Sequence, residues 1–249
     1  NSDLAHVGLP SKEELALLEP FRDQIPPRVF TDIYRPSLTK GYGYARDNLL
    51  RAAQLFREAG WVVRDNVLVN EETGEPFTIE FITVSIYLER AMMPFVNAVK
   101  RLGIDCQVRT IEVSQYINRL GTHDFGGTIV SYAQTLTPGI ELRNYWGSGA
   151  ATRQYSRNTA GIADPVVDQL IEKVIGARSR PQLIAATHAL DRVLLWNYYL
   201  TPGYWPPGYR YGYWDKFERP ETQARFRTGF FDTWWIDSAK AAKLAARMG

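Results

Sequence analysis

The fold is decided by residues 77–110, FTIEFITVSIYLERAMMPFVNAVKRLGIDCQVRT. Within this stretch, the side chains of residues 77–83 alternate between two faces, as in a β-strand. Apolar residues then recur at helical spacing over residues 92–102, and Gly103 is a typical helix end. Residues 106–110 alternate again. This strand–helix–strand order predicts an α/β layer in which the two strands pair in parallel.

The flanking segments extend the same pattern in both directions. Upstream, residues 49–60 have helical spacing and end on a glycine, and two short apolar runs, 61–63 and 67–69, are separated by a turn. Downstream, a short helix is predicted around residues 115–120 and a third strand over residues 125–131. The sequence therefore predicts a mixed α/β body with helices on both sides of a small sheet.

The remainder consists of a long loop, two capped helices and a tail. Residues 132–161 are rich in Gly, Ser, Thr and Asn, and ordered loops of this length are often functional. The Asp-Pro pair at 164–165 and Ser179 each mark the start of a helix with an apolar face. An Ala-rich helix is predicted over residues 239–248.

Composition excludes several classes of protein. The net charge is +2 with scattered basic residues, which argues against nucleic acid as a partner. Cys106 is the single cysteine, so neither an intrachain disulfide nor a cysteine-based metal site is expected. No apolar run is long enough for a membrane span. The chain lacks an initial Met and a signal peptide, so we expect it to start inside a longer protein.

No catalytic constellation stands out in the sequence. His6, His123 and His188 are far apart and form no metal-binding pair, and Cys106 is placed as a small core residue of a strand. Nucleophile-elbow, Walker and dinucleotide-binding motifs are missing. A hydrolase with two converging carboxylates stays an alternative, although no residue pattern favours it. We expect no enzymatic activity, no cofactor and no metal.

Several motifs, in a common order over nearly all 249 residues, resemble family 5 of the extracellular solute-binding proteins, and its YejA-like branch in particular. The motifs are GLPS at 8–11, LLEPF at 17–21, RDNLLRAAQLFREAGW at 46–61, FVNAVKRLGI at 95–104, QY at 115–116, HDF at 123–125, TPG at 137–139, DPVVDQLI at 164–171, LDRVL at 190–194 and TWWID at 233–237.

This resemblance implies the C-terminal lobe of a two-lobed, type II periplasmic binding protein of the Venus-flytrap kind. It implies a segment 1–45 that packs on an N-terminal lobe outside this chain, a ligand-binding lobe 46–210, and a segment 211–249 that returns to the N-terminal lobe. The function implied is that of the substrate-binding component of an ABC importer in the periplasm. Its ligand would be an oligopeptide or peptide-like solute, and its partners the permease subunits.

We expect the ligand contacts of this lobe mainly in the loop after the third strand. In peptide binders of the family, a Trp and then an Asp that pairs with the peptide amine follow that strand, whereas this chain has Gln134 nearby, which is neutral. Arg143 is a candidate for holding a peptide carboxylate, and Tyr145 and Trp146 for a pocket wall, with lobe packing as the alternative for Trp146. The candidates are Ser131, Tyr132, Gln134, Arg143, Asn144, Tyr145, Trp146, Arg157 and Asn158.

Two further features leave alternatives open. The aromatic content is 13%, with many aromatic residues between 196 and 214, so a carbohydrate- or opine-type solute is the main rival ligand. Both ends of the chain also carry many large apolar side chains, which need a covering surface. We expect that surface to come from another chain or fragment, such as a retained N-terminal part.

Overall fold

The computed structural model describes residues 3–39, 45–203, 210–222 and 229–248. The chain forms two compact units, one that runs to Pro202 and one that begins at Gly203. The predicted divisions after residues 45 and 210 do not coincide with this boundary. The aromatic residues Tyr204, Trp205 and Tyr209 lie outside the described residues.

The first unit mixes helices and short strands. In chain order its elements are α1 (Lys12–Leu18), a 3₁₀ turn (Glu19–Phe21), α2 (Arg28–Thr31), α3 (Arg46–Glu58), β1 (Trp61–Arg64), β2 (Val67–Asn70), β3 (Thr78–Thr83), α4 (Ile86–Lys100), β4 (Asp105–Thr110), α5 (Val113–Gly121), β5 (Gly127–Thr128), α6 (Leu142–Trp146), α7 (Ser148–Ala151), α8 (Pro165–Ile175) and α9 (Arg180–Trp196).

Strands β3, β4 and β5 form a sheet that is parallel, as the sequence predicts, and the structure shows the strand order β4-β3-β5. Helix α4 packs on one face, where the Phe95 ring meets the Phe81 ring at 6.0 Å. Helix α5 lies on the other face, where Arg119 forms an ion pair of 3.0 Å with Glu80. The predicted α/β class, with helices on both sides of a small sheet, is therefore confirmed.

Two elements differ in length from the sequence prediction. Helix α4 begins at Ile86, before the predicted residue 92, because Ser85 caps it by accepting a hydrogen bond from the backbone N–H of Leu88. The third strand covers only β5 and not residues 125–131. Thr128 pairs with Ile82, and β3 ends one residue later, so the residues beyond have no strand to pair with.

A small core joins the sheet to the β1–β2 hairpin and to α3. The Phe77 ring makes edge contacts with Phe56 at 5.3 Å and with Trp61 at 4.7 Å. Cys106 and Val96 are buried beside them. The position of Cys106 in this core agrees with its predicted role as a small packed residue.

The larger core lies between α8, α9 and the first thirty residues. Leu18, Phe21, Ile25 and Val29 are buried there, against the apolar faces of α8 and α9. This part of the segment therefore packs within the chain, and packing of residues 1–45 on a lobe outside this chain stays a prediction.

The second unit, described over residues 210–222 and 229–248, contains β6 (Phe217–Glu218), α10 (Phe230–Thr233), β7 (Trp235–Ile236) and α11 (Ser238–Met248). Strands β6 and β7 pair antiparallel. Tyr213 and Trp234 pack with their ring centres 4.7 Å apart, and α11 agrees with the predicted tail helix. Phe231 remains 89% exposed, and the source of a covering surface for this end stays a prediction.

Candidate functional site

The sheet of the first unit presents the carboxyl ends of three parallel strands on one side. We call this side the carboxyl edge and define it as residues 83–89, 110–113 and 128–134, which include the strand ends and the segments that follow them. In open α/β sheets, ligands bind in the crevice outside the carboxyl ends of the strands. The carboxyl edge is therefore the first place to look for a site.

The strand ends are fixed by hydrogen bonds of their own threonines. The Thr83 hydroxyl oxygen accepts a 3.1 Å bond from the backbone N–H of Ser85. The Thr128 hydroxyl donates to the backbone oxygen of Ile82 at 3.0 Å and lies 2.9 Å from the Tyr116 hydroxyl. These bonds hold the segments after β3 and β5 in place, as a ligand-binding surface requires.

Large apolar side chains are exposed in each of the segments that follow the strands. After β3, Val84 is 41%, Ile86 52% and Tyr87 78% exposed, Val113 after β4 is 55% exposed, and Ile129 after β5 is 42% exposed. Exposed apolar groups gathered on one side of a fold mark an interaction surface. These residues were not among the predicted contacts, which lie mainly in the loop after the third strand. The signal that finds them is their place directly after parallel strands.

Three of the predicted residues belong to the carboxyl edge. Ser131 and Gln134 are exposed, and Tyr132 is half-buried. The Tyr132 hydroxyl lies 2.8 Å from the Thr159 hydroxyl, and burial raises the pKa of Tyr132. Tyr132 therefore stays neutral at physiological pH and anchors this segment to the loop that follows.

Tyr145 and Trp146 lie beneath the edge and not on it. Each is 8% exposed, and the Tyr132 ring sits against both, with centroid distances of 5.5 Å and 4.5 Å. The Tyr145 hydroxyl also donates to the backbone oxygen of Ala133 at 3.2 Å. For Trp146 the structure favours the packing interpretation over the pocket wall. The pair supports residues 131–134 from below.

Arg143 and Asn144 face a different place from the carboxyl edge. The guanidinium of Arg143 donates two hydrogen bonds of 2.7 Å to the carboxylate of Glu172, which belongs to α8. The side chain predicted to bind a peptide carboxylate is therefore already paired with a carboxylate of the chain itself. This contact lowers the pKa of Glu172. The Asn144 side-chain oxygen accepts a hydrogen bond from Arg153. Both residues line a cavity of about 570 Å³ bordered by α6, α7 and α8.

Arg157 and Asn158 differ sharply despite being neighbours. Arg157 is exposed, and its guanidinium carbon lies 5.9 Å from the centre of the Tyr145 ring. Asn158 is fully buried, and its amide group donates to the backbone oxygens of Gly147 and Ile162 and accepts from the Ile162 N–H. The prediction that Asn158 binds ligand is therefore wrong, because all its hydrogen-bonding groups face the protein interior.

The charges at the carboxyl edge are few and are used internally. Its segments contain no Lys, Arg or His, and their only carboxylates are Glu89 and Glu112. Glu89 accepts a hydrogen bond from Thr110. Glu112 caps α5 by accepting from the backbone N–H groups of Ser114 and Gln115, and the Ser114 hydroxyl is the main cause of its lowered pKa. The edge is thus a mainly apolar surface with neutral hydrogen-bonding groups.

No metal-binding cluster of His, Cys, Asp and Glu side chains occurs in the described part of the chain. The three histidines have separate partners: His6 contacts Asp191, His188 contacts Glu14, and His123 contacts the backbone oxygen of Asn158. Over the described ranges, none of the helices combines the length and the apolar character that crossing a membrane requires.

The chain is similar to several curated bacterial proteins. It is 43% identical over 238 residues to "Probable peptide-binding protein YejA" of Agrobacterium fabrum, covering 96% of this chain and 39% of that protein. It is 38% identical over 245 residues to YejA of Escherichia coli, covering 98% of this chain and 40% of that protein. The chain therefore spans about two fifths of these relatives. No protein-family profile matches it.

Solved structures share the fold at low sequence identity. The oligopeptide-binding protein AppA of Bacillus subtilis, in complex with a nonapeptide, aligns with a TM-score of 0.62 and 15% identity over 91% of this chain and 45% of that protein. A periplasmic oligopeptide-binding protein of Thermotoga maritima, solved with bound mannohexaose, aligns with a TM-score of 0.54 and 17% identity over 62% of this chain and 30% of that protein.

The fold and the parallel sheet with its exposed carboxyl edge place the chain in one structural class. It is an α/β fragment that matches part of the type II periplasmic binding proteins. Within that class, the chain is a homologue of the YejA-like proteins of solute-binding family 5 and corresponds to a portion of their length. The Agrobacterium relative is named as a probable peptide-binding protein and AppA as an oligopeptide-binding protein.

Proposed function

We propose that this chain forms part of the substrate-binding component of an ABC importer, and that its carboxyl edge contacts a peptide or peptide-like solute. The observation that carries the proposal is the set of exposed apolar residues after the ends of β3, β4 and β5. A peptide ligand is supported by the relative named as peptide-binding and by the nonapeptide in the AppA complex.

The neutral edge groups suit a peptide backbone. Gln134 carries both a donor and an acceptor, and the Ser131 hydroxyl can act as either, so both can bond backbone amides irrespective of side chain. The region up to residue 210 would form one wall of a cleft, and residues 211–249 would return to the other lobe. Closure of the lobes on the ligand would shift the protein to the form that permease subunits recognise in the periplasm.

Arg143, Asn144 and Arg157 remain in the proposal only as secondary contacts. Arg143 would first have to release Glu172, which holds it with two bonds of 2.7 Å. We therefore place the primary contacts at Ser131, Gln134 and Tyr132, with Tyr145 and Trp146 as their support.

A carbohydrate is the second candidate ligand. Tyr87, 78% exposed at the carboxyl edge, offers an aromatic face on which a sugar ring can stack. The mannohexaose bound to the Thermotoga protein supports the idea that this fold accommodates an oligosaccharide. A peptide remains the first choice because the more similar AppA structure contains one.

Calorimetry on the full-length protein tests the proposal. Acetylated and amidated Ala-Ala-Leu-Ala-Ala and mannohexaose would be titrated separately, and co-purified small molecules would be identified by mass spectrometry. We expect the peptide to bind and Ser131→Tyr to weaken it by obstructing the edge. Thr152→Tyr, at an exposed site outside the edge, is the control. Binding of mannohexaose alone would favour the carbohydrate, and a Ser131→Tyr variant with wild-type affinity would contradict the proposed site.

A further inference from the structure

The carboxyl edge differs from a general polar binding surface in its lack of basic residues. Over residues 83–89, 110–113 and 128–134 the fully charged side chains are two carboxylates, Glu89 and Glu112. Within these segments a ligand anion would lose water, gain no counter-charge and be repelled by both carboxylates. The cation that acts on the edge from outside these segments is Arg157, through its electrostatic interaction with Tyr132. A ligand cation would meet weak attraction, because both carboxylates already accept hydrogen bonds within the chain.

The apolar side chains of the edge come from neighbouring strands and can act together. Thr128, the last residue of β5, pairs with Ile82, and β3 ends one residue later at Thr83. Ile129 and Val84 therefore each follow directly after the end of a strand, β5 and β3 respectively. Tyr87 lies in the first turn of α4, three residues after Val84, and is the most exposed of the three.

We infer that the carboxyl edge selects its ligand by an uncharged, apolar side chain, and that Tyr87 is a specificity-determining residue for that group. The inference rests on the proposed function and adds to it the class of side chain that this edge accepts. Arg143, the predicted partner of a peptide carboxylate, pairs with Glu172 away from the edge, so the inference assigns it no part in the selection of the side chain.

A ligand explains the exposed apolar surface better than another part of the protein does. Each exposed residue follows the end of a parallel strand, which is where open α/β sheets bind ligands. The adjacent Ser131 and Gln134 are exposed and neutral, as hydrogen-bonding partners of a peptide backbone should be.

Three blocked peptides test the inference by calorimetry on the full-length protein: acetyl-Ala-Ala-X-Ala-Ala-amide with X as Leu, Lys or Glu. We expect the Leu peptide to bind tightest and the Glu peptide weakest, with a gap of about tenfold or more. Tyr87→Ala should weaken the Leu peptide by about five- to tenfold and should change the Glu peptide little. Leu50→Ala, a truncation at a 61% exposed site on α3, is the matched control and should leave all three affinities unchanged.

A charge-introducing variant gives a second readout. Ile86→Lys places a cation at the edge at a position where the native side chain is 52% exposed, so the fold should tolerate it. We expect this variant to improve binding of the Glu peptide and to weaken that of the Lys peptide.

The possible failures are distinguishable. If wild-type protein binds none of the three peptides, the proposed function falls and the inference with it. If it binds Glu and Leu peptides equally, peptide binding stands and the selectivity is wrong. If Tyr87→Ala leaves the Leu peptide unaffected but lowers the melting temperature, the edge packs on another part of the protein and the inference is overturned.

Discussion

At the scale of single residues, neighbours in the sequence have opposite roles. Arg157 and Asn158 are both plausible ligand contacts from sequence, since each can donate hydrogen bonds. The structure exposes the first and buries the second. Asn158 joins Gly147, at the junction of α6 and α7, to Ile162, just before α8. The Asn158 amide thus stabilises the second half of the loop 132–161, which the sequence predicts to be functional.

Replacement of Asn158 by Ala should destabilise the first unit. The change leaves the backbone oxygen of Gly147 and the polar groups of Ile162 buried without their partner, at a cost of about 2–4 kcal/mol in the free energy of unfolding. Urea unfolding followed by circular dichroism measures it. Arg157→Ala is the matched control, because this exposed side chain should change stability by less than about 0.5 kcal/mol. Equal stability of the two variants would contradict the role assigned to Asn158.

The predictable part of the site was the part encoded by local sequence. Ser131, Tyr132 and Gln134 follow a recognisable strand, so their place at its end could be expected. The partner of Arg143 could not, because Glu172 is 29 residues away and reaches Arg143 only through packing of α8 near α6. Exposure of Tyr87 was equally hidden, since the helical pattern of α4 gives no sign of where the strand before it ends.

At the scale of elements, capping signals located the helices well. Asp164 with the following proline and Ser179 cap the two helices that the sequence predicted there, and Ser11 with Glu14 forms a capping box at the start of α1. The strands were less predictable, because a strand's length depends on its partner. β5 is short because β3 ends beside it, and nothing in residues 125–131 themselves reveals this.

The turn between α4 and β4 depends on Gly103. Its φ is +84°, and a Cβ there would lie 2.6 Å from the backbone nitrogen of Leu68, which donates a hydrogen bond to the Gly103 oxygen. Any residue with a Cβ at this position would therefore have both a strained backbone conformation and a clash with backbone atoms. In the native chain the hydrogen bond from the Leu68 N–H to the Gly103 oxygen holds the β1–β2 hairpin against the turn before β4.

Gly103→Ala should therefore lower the free energy of unfolding by about 2–4 kcal/mol, since strain and overlap add. Gly74→Ala separates the two effects, because its φ is +75° but no atom lies within 4 Å of the added Cβ. It should cost about 1–2 kcal/mol. Gly149→Ala has neither problem and should be close to neutral. Thermal and urea unfolding of all three variants measure the order, and a Gly103→Ala variant no less stable than Gly74→Ala would refute the clash.

At the scale of the whole molecule, the first thirty residues belong to the same body as α8 and α9. Apolar burial contributes most of the contact, and one buried ion pair fixes its alignment. The Arg192 guanidinium is fully buried, and it donates to the Glu14 carboxylate at 2.5 Å and to the backbone oxygen of Gly8 at 2.8 Å. Glu14 also belongs to the capping box of α1, whereas its partner Arg192 lies 178 residues away and cannot be inferred from local sequence.

Removal of one residue of the Glu14–Arg192 pair should weaken the packing of the first thirty residues on α8 and α9. Glu14→Ala leaves the Arg192 charge buried and uncompensated, with an expected loss of about 3–5 kcal/mol in the free energy of unfolding. The double variant Glu14→Leu with Arg192→Met removes both charges and should recover much of that loss. Glu13→Ala, an exposed neighbour, serves as control. Limited proteolysis should cut residues 3–14 fastest in Glu14→Ala, and resistance equal to wild type would contradict the role of the pair.

Because Cys106 is buried in the smaller core, the reactivity of its native thiol reports how often the sheet opens. It is the single cysteine among 249 residues, it is 0% exposed, and burial raises the pKa of its thiol. The thiolate is the reactive form, so a disulfide reagent can modify it only when β4 separates from α4. The rate of modification relative to a small model thiol therefore gives the population of molecules in which the sheet has opened. No engineered probe is needed to follow that opening in the wild-type chain.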